Sequence, residues 1–288
     1  MLRQLHRSVV IAGVAAAAAA AVSFEVHAQD AITVRAARVI DGKGAVLRNS
    51  TVEVRDGKIV RIDQRQGAVT YDLGDVTLMP GMIDVHVHIG YHFGKDGRAQ
   101  NQGETPAEMA LAGAENAYVT LINGFTTVQS AGAPGDRDLR DAIARGRLPG
   151  PRIVSSLGSM NERTGDVEQI RAYVRKQKSE GADFIKIFAS KSIRDGGAQT
   201  LTDAQLAAAC GEARAQGMRT LVHAQSDGSA MAAARAGCTQ VEHGSGISAE
   251  TLKFMADHGV YFDPNIGLVL QNYVENKAKY LGIGNYNE

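Results

Sequence analysis

Residues 80–90 read Pro-Gly-Met-Ile-Asp-Val-His-Val-His-Ile-Gly, and the periodicity of the chain changes at this stretch. Before it, short runs rich in β-branched residues are separated by Asp-Gly turns, as in STVEVRDGKIVRID at 50–63, which is typical of antiparallel strands. After it, short apolar strands alternate with helical stretches at intervals of about 20 to 36 residues, the rhythm of βαβ units. The sequence therefore predicts a small antiparallel β module followed by a parallel α/β domain.

Seven apolar segments of the second region are predicted strands. They are MIDVHVHIG, FTTVQS, RIVSSLG, DFIKIFAS, RTLVHAQ, TQVEHG and VYFDPN. Helices between them begin at capping boxes, such as Thr105 with Glu108, and several end at a glycine, such as Gly217. Seven strands with right-handed crossovers fit an α/β fold of the (β/α)8 TIM-like barrel type, truncated before the eighth strand, better than an open doubly wound sheet.

The charge balance excludes some partners. Lysine plus arginine and aspartate plus glutamate both number 31, so nothing indicates a nucleic-acid groove or a polyacidic partner, and we expect a small-molecule substrate. Cys210 and Cys238 have no CxxC spacing, and we interpret them as buried thiols. A single disulfide remains open if the compartment is oxidising.

The first 28 residues have the pattern of a signal peptide. Arg3 and Arg7 precede an alanine-rich apolar run at 9–22, and Ala28 closes a cleavage site of small residues. The run contains about fourteen apolar residues, fewer than the roughly 20 needed to span a bilayer. We therefore expect residues 1–28 to be removed, the protein to be periplasmic or secreted, and no membrane anchor.

His86 and His88 lie two residues apart on the first predicted strand of the barrel. Their side chains share one face and can converge on one metal ion, with Asp84 on the same face. A pair of surface histidines on an edge strand is the alternative. The position of the pair, directly after Pro80-Gly81, favours a metal site.

Lys186 lies inside DFIKIFAS, a segment that is apolar on both faces and therefore typical of a buried parallel strand. A buried ammonium is costly, so the side chain either reaches solvent at the strand end or loses its proton. In the second case the neutral amine can take up carbon dioxide and become a carbamate, an anionic oxygen ligand that can bridge two metal ions.

Other candidate residues lie in later predicted strands and in the loops after strands. His223 and His243 each lie late in a short apolar strand, where barrel enzymes keep their catalytic groups. One histidine there is more often structural, but four histidines and one lysine late in four strands favour a shared metal site. Candidate substrate contacts lie in the loops that follow, with solvated loop side chains as the alternative. They are Tyr91, His92, Lys191 and Arg194.

The segments PGMIDVHVHIG, FIKIFAS, LVHAQ and VEHG, in this order and spacing, resemble the amidohydrolase superfamily, in particular its imidazolonepropionase-like and Xaa-Pro dipeptidase-like secreted branch. The resemblance implies a (β/α)8 barrel with a small β-sandwich domain. It assigns 29–80 to the N-terminal part of the sandwich and 81–288 to an incomplete barrel. By position it implies that His86 and His88 hold a buried metal, that carboxylated Lys186 bridges, and that His223 and His243 hold a second metal.

The resemblance also implies an activity. We expect a metal-dependent hydrolase of amide C–N bonds, acting on dipeptides, N-acyl amino acids or cyclic amides through a hydroxide that bridges two divalent ions, with zinc as the expected metal. Family members use an aspartate at the end of the eighth strand as general base. We expect that residue beyond Glu288, since Asp263 belongs to the seventh strand, and so expect the chain to be a fragment that forms a homo-oligomer when full length.

Two alternatives stay open. The first is a mononuclear, deaminase-like hydrolase in which Lys186 is unmodified. The second is an inactive fragment that lacks the catalytic aspartate.

Overall fold

The computed structural model describes residues 31–92, 103–265 and 274–281 of the 288-residue chain. The predicted signal peptide, 1–28, lies outside these ranges. The chain divides into two compact units, Met1–Pro80 and Gly81–Glu288. Within the described ranges, no helix is long and apolar enough to cross a bilayer.

The first unit is a five-stranded sheet formed by β1 (Ile32–Ile40), β2 (Val46–Arg55), β3 (Lys58–Asp63), β4 (Tyr71–Asp72) and β5 (Thr77–Leu78). The strands β1, β2 and β3 pair antiparallel as predicted, and Asp56 and Gly57 make the β2–β3 turn with positive φ angles of 50° and 70°. The prediction of a wholly antiparallel module was wrong, because β4 and β5 both pair parallel with β1. The segment after β3 carries the chain back to the start of β1, so the following strands run in the direction of β1.

The second unit contains the predicted parallel strands. They are β6 (Met82–Val87), β7 (Phe125–Ser130), β8 (Arg152–Ser155), β9 (Ser159–Met160), β10 (Phe184–Phe188), β11 (Arg219–Ser226), β12 (Gln240–Gly246) and β13 (Tyr261–Asp263). Two parallel sheets result, with the orders β6-β7-β8 and β13-β12-β11-β10-β9. The third predicted strand, RIVSSLG, forms β8 only; Leu157, with φ at 55°, lies after β8, and β9, which was not predicted, follows in the other sheet.

Helices separate most of these strands. They are α1 (Pro106–Ile122), α2 (Asp136–Ala144), α3 (Val167–Ser179), α4 (Asp203–Ala215), α5 (Asp227–Arg235), α6 (Ala249–Asp257) and α7 (Lys277–Tyr280). The capping box of Thr105 with Glu108 forms at the start of α1, and that of Thr202 with Gln205 at the start of α4. The α/β class with parallel sheets is therefore confirmed. The truncation of the barrel and the sandwich assignment of 29–80 stay predictions.

The main core lies between the second sheet and the helices that follow its strands. Ile187, Val222 and Val241 point from β10, β11 and β12 toward Ile170 of α3 and Leu206 of α4, and all five side chains are buried. Burial of this kind stabilises each strand by roughly 1.5–3 kcal/mol for each large aliphatic side chain. The carboxyl ends of these strands are thereby held on a rigid support.

The two cysteines form a disulfide inside this core, so their interpretation as thiols was wrong. Cys210 of α4 and Cys238, just before β12, have Cα atoms 5.0 Å apart and are both buried. Packing of α4 beside α5 and β11 brings together positions 28 residues apart, which sequence spacing did not indicate. In the chain-entropy treatment a bridge over such a loop stabilises the fold by about 3–4 kcal/mol.

Candidate metal centre

The five predicted metal ligands lie together at the carboxyl ends of β6, β10, β11 and β12. The ring centroids of His86 and His243 are 5.1 Å apart, those of His223 and His243 are 4.6 Å apart, and those of His86 and His88 are 5.5 Å apart. The Nζ atom of Lys186 lies 3.2 Å from Nε2 of His86. Parallel strands of one sheet end at the same edge, which brings Lys186, His223 and His243 together, and the end of β6 in the other sheet adds His86 and His88.

The histidines are held in the neutral form that binds metals. Burial lowers the pKa of His86, His88 and His223 to about 4, and the charge of Lys186 acts in the same direction. Burial and the neighbouring rings of His223 and His86 lower the pKa of His243 to about 3. Near pH 7 all four rings are therefore uncharged, with lone pairs free for coordination.

Lys186 does not reach solvent at the strand end. The residue is 1% exposed, and its Nζ lies 5.2 Å from the centre of the Phe188 ring. Burial lowers its pKa to about 8, against the opposing effect of the carboxylates of Glu242 and Asp263. The amine therefore loses its proton far more readily than that of an exposed lysine.

A further carboxylate, which the sequence analysis did not single out, lies in the same cluster. Glu242 of β12 is 0% exposed, and its Oε2 lies 2.7 Å from Nδ1 of His86. These two atoms do not have the geometry of a hydrogen bond. Within the described part of the chain, Nδ1 of His86 and both carboxylate oxygens of Glu242 therefore have no hydrogen-bond partner. Burial raises the pKa of Glu242 to about 9, and the charge of Asp263 adds to the effect.

Asp263, at the end of β13, completes a donor set. One ligand atom each from His86, Glu242 and Asp263 lies within 4.8 Å of the others. Imidazole nitrogen with carboxylate oxygen is a donor combination that zinc and similar divalent ions accept. Nδ1 of His86 and both oxygens of Glu242 are buried without hydrogen-bond partners among the described residues, which is costly unless a cation pairs with them, so this set fits a divalent metal.

The backbone at His243 explains why Glu242 was missed. Successive side chains of a regular strand point to opposite faces, so Glu242 and His243 are not expected at one site. His243 has a φ of 70°, which breaks the alternation at the strand end. The available signal was an acidic residue inside the apolar segment TQVEHG.

The predicted substrate contacts have different surroundings. The Tyr91 ring stacks on the His88 ring at 4.4 Å and an interplanar angle of 13°. The His92 ring instead lies between Oε2 of Glu104, at 2.8 Å, and the carbonyl oxygen of Gly90, at 3.0 Å. Lys191 and Arg194 are exposed in the loop after β10. Their roles toward substrate stay predictions.

The fold and the cluster together define a member of the amidohydrolases. The sequence profile of the amidohydrolase family matches residues 77–284, and the chain belongs to this family.

Curated relatives agree with this assignment. The ochratoxinase of Aspergillus niger is 27% identical in an alignment of 275 positions that covers 78% of this chain and 56% of that protein. The dihydroorotase of Anaeromyxobacter dehalogenans is 25% identical in an alignment of 205 positions that covers 67% of this chain and 42% of that protein. The chain thus spans about half the length of the curated relatives it matches.

Solved structures give the same picture. A Xaa-Pro dipeptidase with methionine bound in its active site is 26% identical, with a TM-score of 0.77 over 90% of this chain and 71% of that chain. A prolidase complexed with N-methylphosphonate-L-proline is 25% identical, with a TM-score of 0.76 over 89% of this chain and 71% of that chain.

Proposed function

We propose that the protein is a metal-dependent hydrolase of amide C–N bonds in small molecules, with dipeptides or N-acyl amino acids as substrates and two zinc ions at the centre. The observation that carries the proposal is the convergence of four neutral imidazoles, a buried lysine and two carboxylates from strands of both parallel sheets. Divalent ions held there supply Lewis acidity and a hydrolytic nucleophile at neutral pH. The hydrolase relatives support the reaction class.

The chemical state of Lys186 decides whether the centre holds two metal ions or one. The neutral amine adds to carbon dioxide, an N–C bond forms, one proton leaves, and the product is an anionic carbamate with two oxygen donors. The depressed pKa of Lys186 and the adjacent neutral ring of His86 favour the free amine that this step needs. An anion at this position also replaces a positive charge that would oppose two nearby cations.

A mononuclear centre is the second candidate, and the triad of His86, Glu242 and Asp263 favours it. These three residues offer a compact donor set without any modification of Lys186. The two candidates differ in metal content: two ions with a carbamate, one ion without it.

The experiment is metal analysis of the full-length protein as wild type, Lys186→Ala and Lys186→Arg, with hydrolysis of a panel of dipeptides and N-acyl amino acids. The carbamate proposal expects about two ions in wild type, one or fewer in both variants, and loss of most activity. Lys178→Ala, on the exposed side of α3, is the matched control and keeps both ions. Two ions and near-normal turnover in Lys186→Ala exclude the carbamate, and one ion in wild type favours the mononuclear centre.

We also infer export to an oxidising compartment, because the signal pattern at 1–28 and the buried disulfide of Cys210 with Cys238 point the same way. Protein recovered from outside the cytoplasm is expected to begin at or near Gln29 and to resist thiol alkylation until it is reduced. Retention of Met1, or free thiols in exported protein, contradicts the inference.

A further inference from the structure

A cavity of about 650 Å³ opens beside the candidate metal centre. Its inner wall includes His88, Tyr91 and Phe188, so it begins where the cluster of predicted ligands ends. Phe188 lines the cavity and also contacts the cluster of predicted metal ligands, since its ring lies 5.2 Å from the His223 ring. The volume falls within the range of roughly 300–1,000 Å³ that is typical of small-molecule sites.

The far wall of the cavity is formed by the facing sides of α1 and α2. Its side chains are small or apolar and include Met109, Ala110, Leu139 and Ala142. Small residues on both helices leave the space between them open, and the aromatic rings of the inner wall offer flat apolar surfaces for stacking.

The charged residues of the wall limit what the cavity accepts. Asp136 and Asp138 line it, and among the residues that the structure describes no lysine or arginine does. Oδ2 of Asp136 already accepts a hydrogen bond from Oγ of Ser155 at 2.8 Å. A carboxylate entering this space would meet negative charge, and no described lining residue offers a cation to pair with it, so an anionic group is disfavoured.

We propose, on the basis of the proposed amide hydrolysis, that this cavity binds a bulky, uncharged and preferably aromatic acyl group of the substrate. The scissile carbonyl then lies at the His88 and Phe188 wall, next to the metal centre. The carboxylate of the leaving amino acid is directed away from Asp136, toward solvent. Of the substrates considered above, this favours aromatic N-acyl amino acids over dipeptides with a small N-terminal residue, which leave most of the cavity unfilled.

The first test uses binding, so that it does not depend on catalysis. Wild type is titrated with 2-naphthamide and with acetamide, a neutral pair that differs in the acyl group. The matched anion, 6-carboxy-2-naphthamide, keeps the amide at the metal side, carries its charge into the cavity and so tests charge. The cavity proposal expects naphthamide to bind at least 10-fold more tightly than acetamide and more tightly than its 6-carboxy derivative. Equal binding of the two uncharged amides, or tighter binding of the 6-carboxy derivative, overturns it.

Two cavity-filling variants locate the binding. Ala110→Trp and Ala142→Trp place a ring in the space from α1 and α2 and are expected to weaken naphthamide binding at least 10-fold. Ala107→Trp and Ala144→Trp put the same ring at exposed positions of the same helices that do not line the cavity, and are expected to bind as wild type does. Thermal unfolding confirms that each variant is folded. Equal binding in all four folded variants overturns the proposal.

The second test measures turnover of N-(2-naphthoyl)-L-alanine and N-acetyl-L-alanine by the full-length protein and its variants. In wild type, kcat/KM for the naphthoyl compound is expected to exceed kcat/KM for the acetyl compound more than 10-fold. In Ala110→Trp and Ala142→Trp this ratio is expected to fall at least 10-fold, because kcat/KM for the naphthoyl compound falls while that for the acetyl compound does not. If no amide is hydrolysed by any protein, the proposed function fails and the binding results still decide the cavity. If both compounds are hydrolysed equally well, amide hydrolysis stands and the cavity proposal fails.

Discussion

Two buried carboxylates, one in each unit of the chain, have opposite surroundings. Glu53, in the β unit, has a side chain 8% exposed and accepts hydrogen bonds from Arg55, Arg61 and Arg65 at 2.9, 2.8 and 2.6 Å. Glu242, in the α/β unit, is 0% exposed, and neither of its oxygens has a hydrogen-bond partner among the described residues.

The difference separates a structural carboxylate from one that belongs to a site. Three guanidinium groups satisfy Glu53 within the folded chain, so its charge needs nothing further. Glu242 has no comparable set of donors, and burial raises its pKa to about 9 although the charge of Lys186 acts in the opposite direction. A buried acid without a partner, among neutral imidazoles, therefore marks the place where a cation is expected.

The largest expected effect is acid destabilisation of the metal-free protein. The pKa values of the four clustered histidines are lowered to between about 3 and 4, so below pH 6.5 the unfolded chain binds more protons than the native one. Glu242 acts in the opposite direction, since its raised pKa lets the native state bind one more proton between about 4.5 and 9. Because four histidines outweigh one glutamate, the free energy of unfolding is expected to fall by several kcal/mol as the pH falls from 6.5 to 4.5.

Urea unfolding of metal-free protein at pH 7.5, 6.5 and 5.5 checks this expectation. Glu53→Gln is expected to show the same pH slope as wild type, because Glu53 lies outside the cluster. A free energy of unfolding that stays flat between pH 7.5 and 5.5 is incompatible with four buried neutral histidines.

The next effect is on metal affinity. Glu242→Gln keeps the shape of the side chain but removes its charge, and is expected to weaken zinc binding by about 10–100-fold. Glu53→Gln is expected to leave zinc affinity unchanged. Competition with a chelator of known affinity measures both variants, and equal zinc affinity in Glu242→Gln and wild type would falsify the assignment of Glu242 to the metal centre.

The smallest effect is on the stability of the β unit. Glu53→Gln leaves three arginines without their shared carboxylate, but these side chains are 29% to 55% exposed, so water offsets much of the loss and we expect about 1–2 kcal/mol. Glu115→Gln, at an exposed position of α1, is the matched control and is expected to change stability by less than about 0.5 kcal/mol. Should both variants unfold at the same urea concentration as wild type, the Glu53 cluster contributes nothing measurable.

Local patterns in the sequence were sufficient for the parallel α/β class and the positions of the strands. Apolar segments with capping residues between them depend on short-range geometry, which the sequence displays directly. The pairing of β4 and β5 with β1 was predicted wrongly, because strand direction depends on where a connecting loop returns and not on the pattern within a strand.

The sequence by itself determined which residues have the chemistry for a metal centre: four histidines and one lysine, each late in an apolar strand. The tertiary structure decided which partners they meet. It brought Glu242 and Asp263 to His86, joined Cys210 to Cys238, and placed an apolar cavity between α1 and α2. These features depend on backbone angles such as the positive φ of His243 and on contacts between residues far apart in the chain, and neither is encoded in the periodicity of any one segment.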